Sequence, residues 1–172
     1  RNIGSTARAM KNCGLSELRL VEPREKWPND GANSMAAGAD DILKNIKVFD
    51  NIPSALSDVI HVFSLTARNR DITKIELGPD YAAKKIYENS TKSEKSAILF
   101  GPEQSGLTND EIAYSNFLVK VPMEENFSSL NLSQAVLLIS WEWRKLFLKN
   151  YLSETEYRKI SEPQLSHKTP LS

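Results

Sequence analysis

The sequence predicts an α/β fold with a mostly parallel sheet, on two observations. Near-continuous apolar runs occupy residues 59–66, 97–100 and 117–121, and such runs are typical of strands that are buried on both faces. The segments between these runs carry apolar residues at helical spacing, so strands and helices alternate along the chain.

A single domain is expected over residues 1–151. The chain has 172 residues, which is long enough for one sizeable core, and it contains no internal repeat. Residues 152–172 are polar and include Pro163 and Pro170. We expect them to form a tail that is docked on the same domain or frayed.

The N-terminal half is expected to begin with a helix over residues 2–14. Ser5 or Thr6 is the predicted cap, and Gly14 ends the helix because glycine adopts the left-handed conformation at low cost. The other elements of this half are short: strands at residues 18–21 and 47–49, and helices around residues 35–37 and at residues 53–57.

The C-terminal half contains three predicted helices. The first covers residues 79–89, and the second opens with a capping box formed by Thr108 and Glu111. The third is a long helix after a cap at Ser129 or Asn131. Its body is apolar nearly all round, and we therefore expect two covers, namely the sheet and a second subunit.

Composition limits the partners of the chain. Hydrophobic content of 40% and charged content of 26% are ordinary for a globular protein. The 22 basic and 22 acidic residues give a formal net charge of zero, whereas proteins that hold nucleic acid by charge alone are basic. An RNA or DNA partner would therefore bind a local patch, such as the modestly basic residues 1–26, or two subunits together.

A cytoplasmic location is expected from cysteine usage and hydropathy. Cys13 is the single cysteine, which excludes an intramolecular disulfide and fits a reducing compartment. No run of eighteen apolar residues and no signal-peptide pattern occurs, so we expect no membrane association.

Polar, glycine-bearing segments follow three of the predicted strands, at residues 65–68, 101–106 and 122–131. Ligands of open α/β sheets collect at the carboxyl ends of strands, so these segments predict one site. The second segment lacks the Gly-Lys-Ser/Thr of a P-loop, and no strand leads into a G-x-G-x-x-G fingerprint. Nucleoside triphosphate chemistry is therefore disfavoured.

Other catalytic chemistries find little support. His61 and His167 lack partners at metal-ligand or triad spacing, so we expect no metal site and no Ser-His-Asp triad. Cys13 is interpreted as a small buried residue. Arg8 lies mid-helix among apolar residues, where a solvated arginine is the usual explanation. A phosphate contact for Arg8 would require support from elsewhere in the chain.

Three ordered motifs supply that support. The first holds Asn2, Gly4, Arg8, Asn12 and Gly14; the second spans residues 99–108; the third joins Val121 and Pro122 to residues 129–136. Together they resemble the motifs of the SpoU/TrmH class of SPOUT RNA methyltransferases. Residues 36–41 and 66–70 resemble the TrmJ branch in particular, which methylates the ribose 2′-hydroxyl at position 32 of tRNA. Methylation of tRNA position 34 or of rRNA, and a non-catalytic RNA-binding homologue, remain alternatives.

The resemblance implies a fold, a cofactor and an assembly. It implies a deep trefoil knot in the C-terminal half, which is an exception to the rule that chains are unknotted, and a homodimer with its interface near the knot. It also implies S-adenosyl-L-methionine as cofactor, held largely by backbone groups. The implied contacts fall on Leu65, Thr66, Ala67, Gly101, Gly106, Val121, Ser128, Ser129 and Leu130.

The resemblance also implies the catalytic roles. Arg8 would contact the 2′-hydroxyl and its phosphate, orienting the phosphate and stabilising developing alkoxide charge, because arginine with a pKa above ~12 is a poor base. Asn2 would support Arg8, Ser129 and Asn131 would order the cofactor and ribose, and Glu103 would hold the dimeric site in shape. The implied partner is tRNA.

Overall fold

Helices and strands alternate along the chain, as the sequence predicts. The computed structural model describes the backbone of residue 2 and residues 3–24, 26–28, 31, 37–67, 73–125 and 130–163. The described helices are α1 (Asn2–Asn12), α2 (Asp40–Lys44), α3 (Ile52–Ala55), α4 (Pro79–Thr91), α5 (Asn109–Ile112), α6 (Leu132–Tyr151) and α7 (Glu154–Ser161). The described strands are β1 (Arg19–Val21), β2 (Lys47–Phe49), β3 (His61–Thr66), β4 (Ile75–Leu77), β5 (Ser96–Leu99) and β6 (Phe117–Lys120).

All described strand pairs are parallel, which confirms the predicted sheet type. A four-stranded sheet has the order β4-β6-β3-β5, and β1 pairs with β2 in a separate two-stranded sheet. The central strand β3 buries Phe63 and Ser64 completely. Its apolar run therefore lies where the sequence predicts, between two other strands and covered on both faces.

Helices cover both faces of the four-stranded sheet. Successive side chains of a strand point to opposite faces, and β6 shows this clearly. Val119 shares a core cluster with Ala82 of α4 and Ile139 of α6, whereas Leu118 packs with Ile112 of α5. Burial of this apolar surface is the main stabilising contribution to the fold.

Helices α1 and α6 lie side by side and begin at the same end of the molecule. Ile3 near the start of α1 and Leu132 at the start of α6 pack against one core cluster. At the other end, a side chain added to Gly14 would lie 3.0 Å from the guanidinium of Arg144. The two helices therefore run in the same direction, and their N-termini lie at the same end of the molecule.

The predicted helix boundaries are confirmed in part. Thr108 and Glu111 form the predicted capping box of α5, and Asn131 caps α6. The predicted cap of α1 is wrong, because α1 already begins at Asn2 and Ser5 and Thr6 lie inside it. The helix predicted around residues 35–37 falls largely outside the described residues, and Ala37 itself lies in a turn. None of the described helices is long and apolar enough to cross a membrane.

A charged network centred on Arg19 joins β1 to the segment before β3. The Arg19 guanidinium donates to the Ala55 carbonyl at 2.6 Å, to Asp58 at 2.6 Å and to Glu17 at 2.7 Å. Lys95 donates to Asp58 at 3.0 Å. Hydrogen bonds from Arg19, and then from Lys95, hold the pKa of Asp58 well below its usual range.

Replacement of Asp58 by asparagine is expected to reduce the acid sensitivity of the fold. Because the folded pKa is lowered, the stability that Asp58 contributes is fully present above its unfolded pKa of about 4 and is lost as the pH falls through the folded pKa. In calorimetry, the difference in melting temperature between the two proteins should be largest near neutral pH and shrink below about pH 4. A difference that stays constant with pH, or an equal effect of the exposed control Asp50→Asn, would contradict this role.

Candidate functional site

The carboxyl ends of three parallel strands meet at one edge of the sheet. Ser64 of β3 is in register with Leu99 of β5, and Thr66 of β3 with Lys120 of β6. The residues that directly follow these strands therefore lie close together. The structure thus brings together five predicted contact positions: Leu65, Thr66, Ala67, Gly101 and Val121. Ser128 and Ser129 lie outside the described residues.

The loop of residues 101–107 is closed by its own backbone. A Cβ atom added to Gly101 would lie 2.4 Å from the carbonyl carbon of Gly106 and 2.4 Å from the Leu107 nitrogen, so no side chain fits there. The Gly106 N–H donates to the Pro102 carbonyl at 2.7 Å, and Gly106 has a φ of +67°, which favours glycine. The two glycines let main-chain atoms, rather than side chains, form this part of the edge.

The loop is anchored at one end and exposed at the other. Leu107 is buried and packs with Ile112 and Leu118, and Thr108 then caps α5. Glu103 is exposed within the loop, and it makes no ion pair with any other residue that the structure describes. Its predicted role in shaping a dimeric site stays a prediction.

The N-terminus of α6 borders the same edge and is capped reciprocally. The Asn131 side-chain oxygen accepts from the Ser133 N–H at 3.0 Å and from the Ser133 hydroxyl at 2.7 Å. The Gln134 side chain accepts from the Asn131 N–H at 3.3 Å. Asn131 thus has an observed structural function, since it stabilises the first turn of α6. Its predicted contact with cofactor and ribose stays a prediction, and Leu130 beside it is half-buried.

Arg8 projects from the exposed side of α1. Its neighbours Ala7, Ala9 and Met10 are buried in the core, whereas Arg8 is exposed. Within the described part of the chain, the Arg8 guanidinium makes no hydrogen bond or ion pair. Among the described residues, its charge is therefore not neutralised, and a guanidinium in this state suits the binding of a phosphate. Asn2 is the first residue of α1. Its predicted support of Arg8 stays a prediction.

Lys11 makes a contact that the sequence analysis did not predict. Its ammonium group donates to the Gly38 carbonyl and to the Asp41 carboxylate, each at 2.9 Å. Asp41 lies 30 residues further along the chain, and both side chains are exposed. No periodic pattern marks such a pair, so sequence reasoning had no signal for it.

One face of α6 is uncovered in the single chain. Ala135, Val136 and Ile139 are buried against the rest of the domain, but Leu137 is 42% exposed and Trp141 is 49% exposed. Gln134 and Leu138 complete a shallow, mostly apolar groove along this face. The sheet-side cover predicted for the helix is therefore confirmed, and the second cover is not provided by the described residues.

The family model, a curated relative and a solved structure that match this chain are all RNA methylases. A model of the SpoU rRNA methylase family matches residues 1–141. The tRNA (cytidine/uridine-2′-O-)-methyltransferase TrmJ of Sodalis glossinidius is 39% identical over 160 residues, which cover 93% of this chain and 62% of that protein. The crystal structure of TrmJ from Z. mobilis has a TM-score of 0.80 and 46% identity, covering 84% of this chain and 63% of that one. The chain thus spans less than two thirds of either relative.

A more distant structure shares the fold alone. It is a SpoU methyltransferase from Streptomyces viridochromogenes in complex with the cofactor AdoMet, with a TM-score of 0.65 and 17% identity. It covers 86% of this chain and 56% of that one.

Proposed function

Because the chain belongs to the SpoU rRNA methylase family, we propose that it transfers a methyl group from S-adenosyl-L-methionine to a ribose 2′-hydroxyl of tRNA. The observation that carries the proposal is the family match over residues 1–141. It is supported by Arg8, which is exposed on α1 and has no partner among the described residues, and by the meeting of the carboxyl ends of β3, β5 and β6 at one edge of the sheet. The name of the Sodalis glossinidius relative, a tRNA 2′-O-methyltransferase, supports tRNA as substrate. Cytidine or uridine 32 of the anticodon loop is the proposed target, with position 34 and rRNA as alternatives.

The residues at the edge fit a cofactor that is recognised through main-chain atoms. Ala67, Gly101 and Gly106 are small, and the loop of residues 101–107 is closed by contacts between its own main-chain atoms. A bound S-adenosyl-L-methionine would supply an electrophilic methyl group on a sulfonium ion. We assign its binding to Leu65, Thr66, Ala67, Gly101, Gly106, Val121, Ser128, Ser129 and Leu130.

Arg8 would position the nucleotide and not remove its proton. A guanidinium keeps its proton at any physiological pH, but its planar fork binds a phosphate through two parallel hydrogen bonds. It would hold the 2′-hydroxyl in line for transfer and stabilise negative charge that develops on the oxygen. The phosphate beside the hydroxyl is the acceptor that we expect for the proton.

We further infer a homodimer that uses the uncovered face of α6, and a deep trefoil knot in the C-terminal half of the chain. The exposed Leu137 and Trp141 support the dimer, since an apolar helix face of this kind is usually covered by a partner. In a dimer, the basic segment at residues 1–26 of one subunit can act with the cofactor site of the other. This arrangement would let a chain of zero net charge hold tRNA.

Replacement of Leu137 by glutamate is expected to convert the dimer to a monomer. A carboxylate in an apolar interface loses its hydration without gaining a partner, which weakens such an interface by ~100-fold or more. Sedimentation velocity measures the result, with Ile160→Glu on α7 as a control, because Ile160 is also exposed but lies on another helix. A dimer that survives Leu137→Glu and not Ile160→Glu would exclude this face as the interface.

The proposed activity is tested by incubation with methyl-labelled cofactor and bulk tRNA. We expect label in ribose 2′-O-methyl nucleosides after digestion, and mapping of the modified nucleotide in the tRNA of a deletion strain separates position 32 from position 34. Failure to label any tRNA or rRNA would overturn the enzyme proposal. If calorimetry also detected no cofactor binding, the chain would be a non-catalytic RNA-binding homologue.

A further inference from the structure

Two exposed cations one helical turn apart on α1 behave differently. Arg8 and Lys11 are three residues apart and therefore share a face of the helix. Arg8 has no partner in the described part of the chain, whereas Lys11 contacts both Gly38 and Asp41 at 2.9 Å. The charge of Lys11 is thus compensated inside the protein, and of these two cations Arg8 is the one without a partner among the described residues.

The segment that Lys11 holds is an exposed, unusual turn. Ala37 has a φ of +45° and Gly38 a φ of +96°, so two successive residues lie in the left-handed region, which is unfavourable for alanine. Such conformations persist only where surrounding contacts enforce them. The Gly38 carbonyl that accepts from Lys11 belongs to this turn. Ala37 and Gly38 are both exposed.

The turn is fixed on its other side by the core and by α2. Ala39 is 1% exposed and shares a core cluster with Ala7 of α1. The Asn45 side chain donates to the Asp41 carbonyl at 2.8 Å. Lys11 is therefore the described link between the exposed corner of the turn and the exposed face of α1, next to Arg8.

We propose that Lys11 is a positioning residue for RNA binding, which holds the turn of residues 37–41 beside Arg8 as one wall of the surface that receives the target strand. The opposite side of α1 is buried against α6, so a strand whose phosphate reaches Arg8 must cross the exposed face that this turn borders. Lys11 acts through the turn and does not contact the reacting atoms. The proposal rests on the proposed RNA methyltransferase function.

If the pair between Lys11 and Asp41 were an ordinary surface ion pair, the effect of losing Lys11 on RNA binding would be different. Exposed pairs contribute little to stability, so in that case loss of Lys11 would leave RNA binding unchanged. A purely electrostatic role would also differ, because any nearby lysine would then matter equally. Lys44 at the end of α2 offers this comparison, since it is exposed and makes no ion pair with other described residues.

The test compares Lys11→Met, Lys11→Arg and Lys44→Met in steady-state methyl transfer. For Lys11→Met we expect the KM for tRNA to rise about tenfold, as for loss of one good contact, with kcat, cofactor affinity and melting temperature near wild type. Lys11→Arg retains donors for both acceptors and should restore the wild-type KM, and Lys44→Met should leave it unchanged. Equal increases for Lys11→Met and Lys44→Met would overturn the proposal, as would an unchanged KM for Lys11→Met.

Hydrogen exchange provides a readout that does not depend on activity. Amides of residues 37–41 should exchange faster in Lys11→Met, and in Asp41→Asn if Lys11→Met fails to fold. Unchanged exchange would overturn the positioning role whatever the enzyme does. If wild type methylates no RNA, the proposed function fails separately, and tRNA affinity measured by fluorescence anisotropy then decides whether the turn positions RNA.

Discussion

Replacement of Arg8 by alanine is expected to lower methyl transfer by about 10²–10³-fold, the usual effect of removing one group that stabilises charge in the transition state. Arg8 is exposed on α1, and none of its neighbours depends on its side chain through a described ion pair. Cofactor affinity should therefore stay near wild type. Single-turnover transfer and calorimetric titration of the cofactor measure the two quantities separately.

Two further variants separate the positive charge of Arg8 from the geometry of its guanidinium and control for loss of an exposed arginine. Arg8→Lys keeps the positive charge but loses the planar fork that binds a phosphate through two hydrogen bonds, so we expect partial activity. Arg158→Ala removes an exposed arginine from α7, where it pairs with Glu154 at 3.1 Å, and should leave transfer unchanged. Parallel loss of transfer and cofactor binding in Arg8→Ala would instead indicate a structural role for Arg8.

Replacement of Gly101 by alanine is expected to abolish cofactor binding and destabilise the domain. The new Cβ would lie 2.4 Å from two backbone atoms of residues 106 and 107, so the loop must open rather than adjust a flexible side chain. Forced backbone movement of this kind costs about 2 kcal/mol or more, which lowers the melting temperature of a domain of this size by roughly 5 °C. Calorimetry measures both the melting temperature and the affinity.

Gly106→Ala is the matched control for this effect. Gly106 has a φ of +67° but open space around its Cα, so alanine is strained by only about 1 kcal/mol. We expect a smaller loss of stability and retention of measurable cofactor binding. If Gly101→Ala bound the cofactor as tightly as Gly106→Ala, the tight closure of the loop would be irrelevant to binding.

Strands and caps with strong local patterns were predictable from the sequence. β3, β5 and β6 carry apolar runs because both faces of the sheet are covered, and Asn131 caps α6 as its side-chain chemistry predicts. β4 was missed because it is a three-residue edge strand in which only Leu77 is buried. Helix α7 was missed because none of its residues is buried. It is supported locally, by the Ser153 cap and the pair between Glu154 and Arg158.

In the candidate site, too, local sequence features were predictable, whereas a contact between distant exposed residues was not. Arg8 and the glycine loop are local features of fixed spacing, and the parallel register of β3 with its neighbours brings the predicted loops to one edge. The contact of Lys11 with Asp41 depends on two exposed polar side chains that the fold brings together across 30 residues. Exposed polar residues carry no periodicity, so the sequence pattern does not indicate this contact.

The closed loop of residues 101–107 also bears on how the protein tolerates sequence change. Its shape depends on the Gly106 N–H reaching the Pro102 carbonyl and on the backbone of Gly101 touching that of Leu107. Both of these contacts are made by main-chain atoms, so we expect substitutions of the exposed Glu103 and Gln104 to leave the path of the main chain unchanged. An inserted or deleted residue, by contrast, would break it. Between the two glycines, the number of residues therefore matters more than the identity of Glu103 and Gln104.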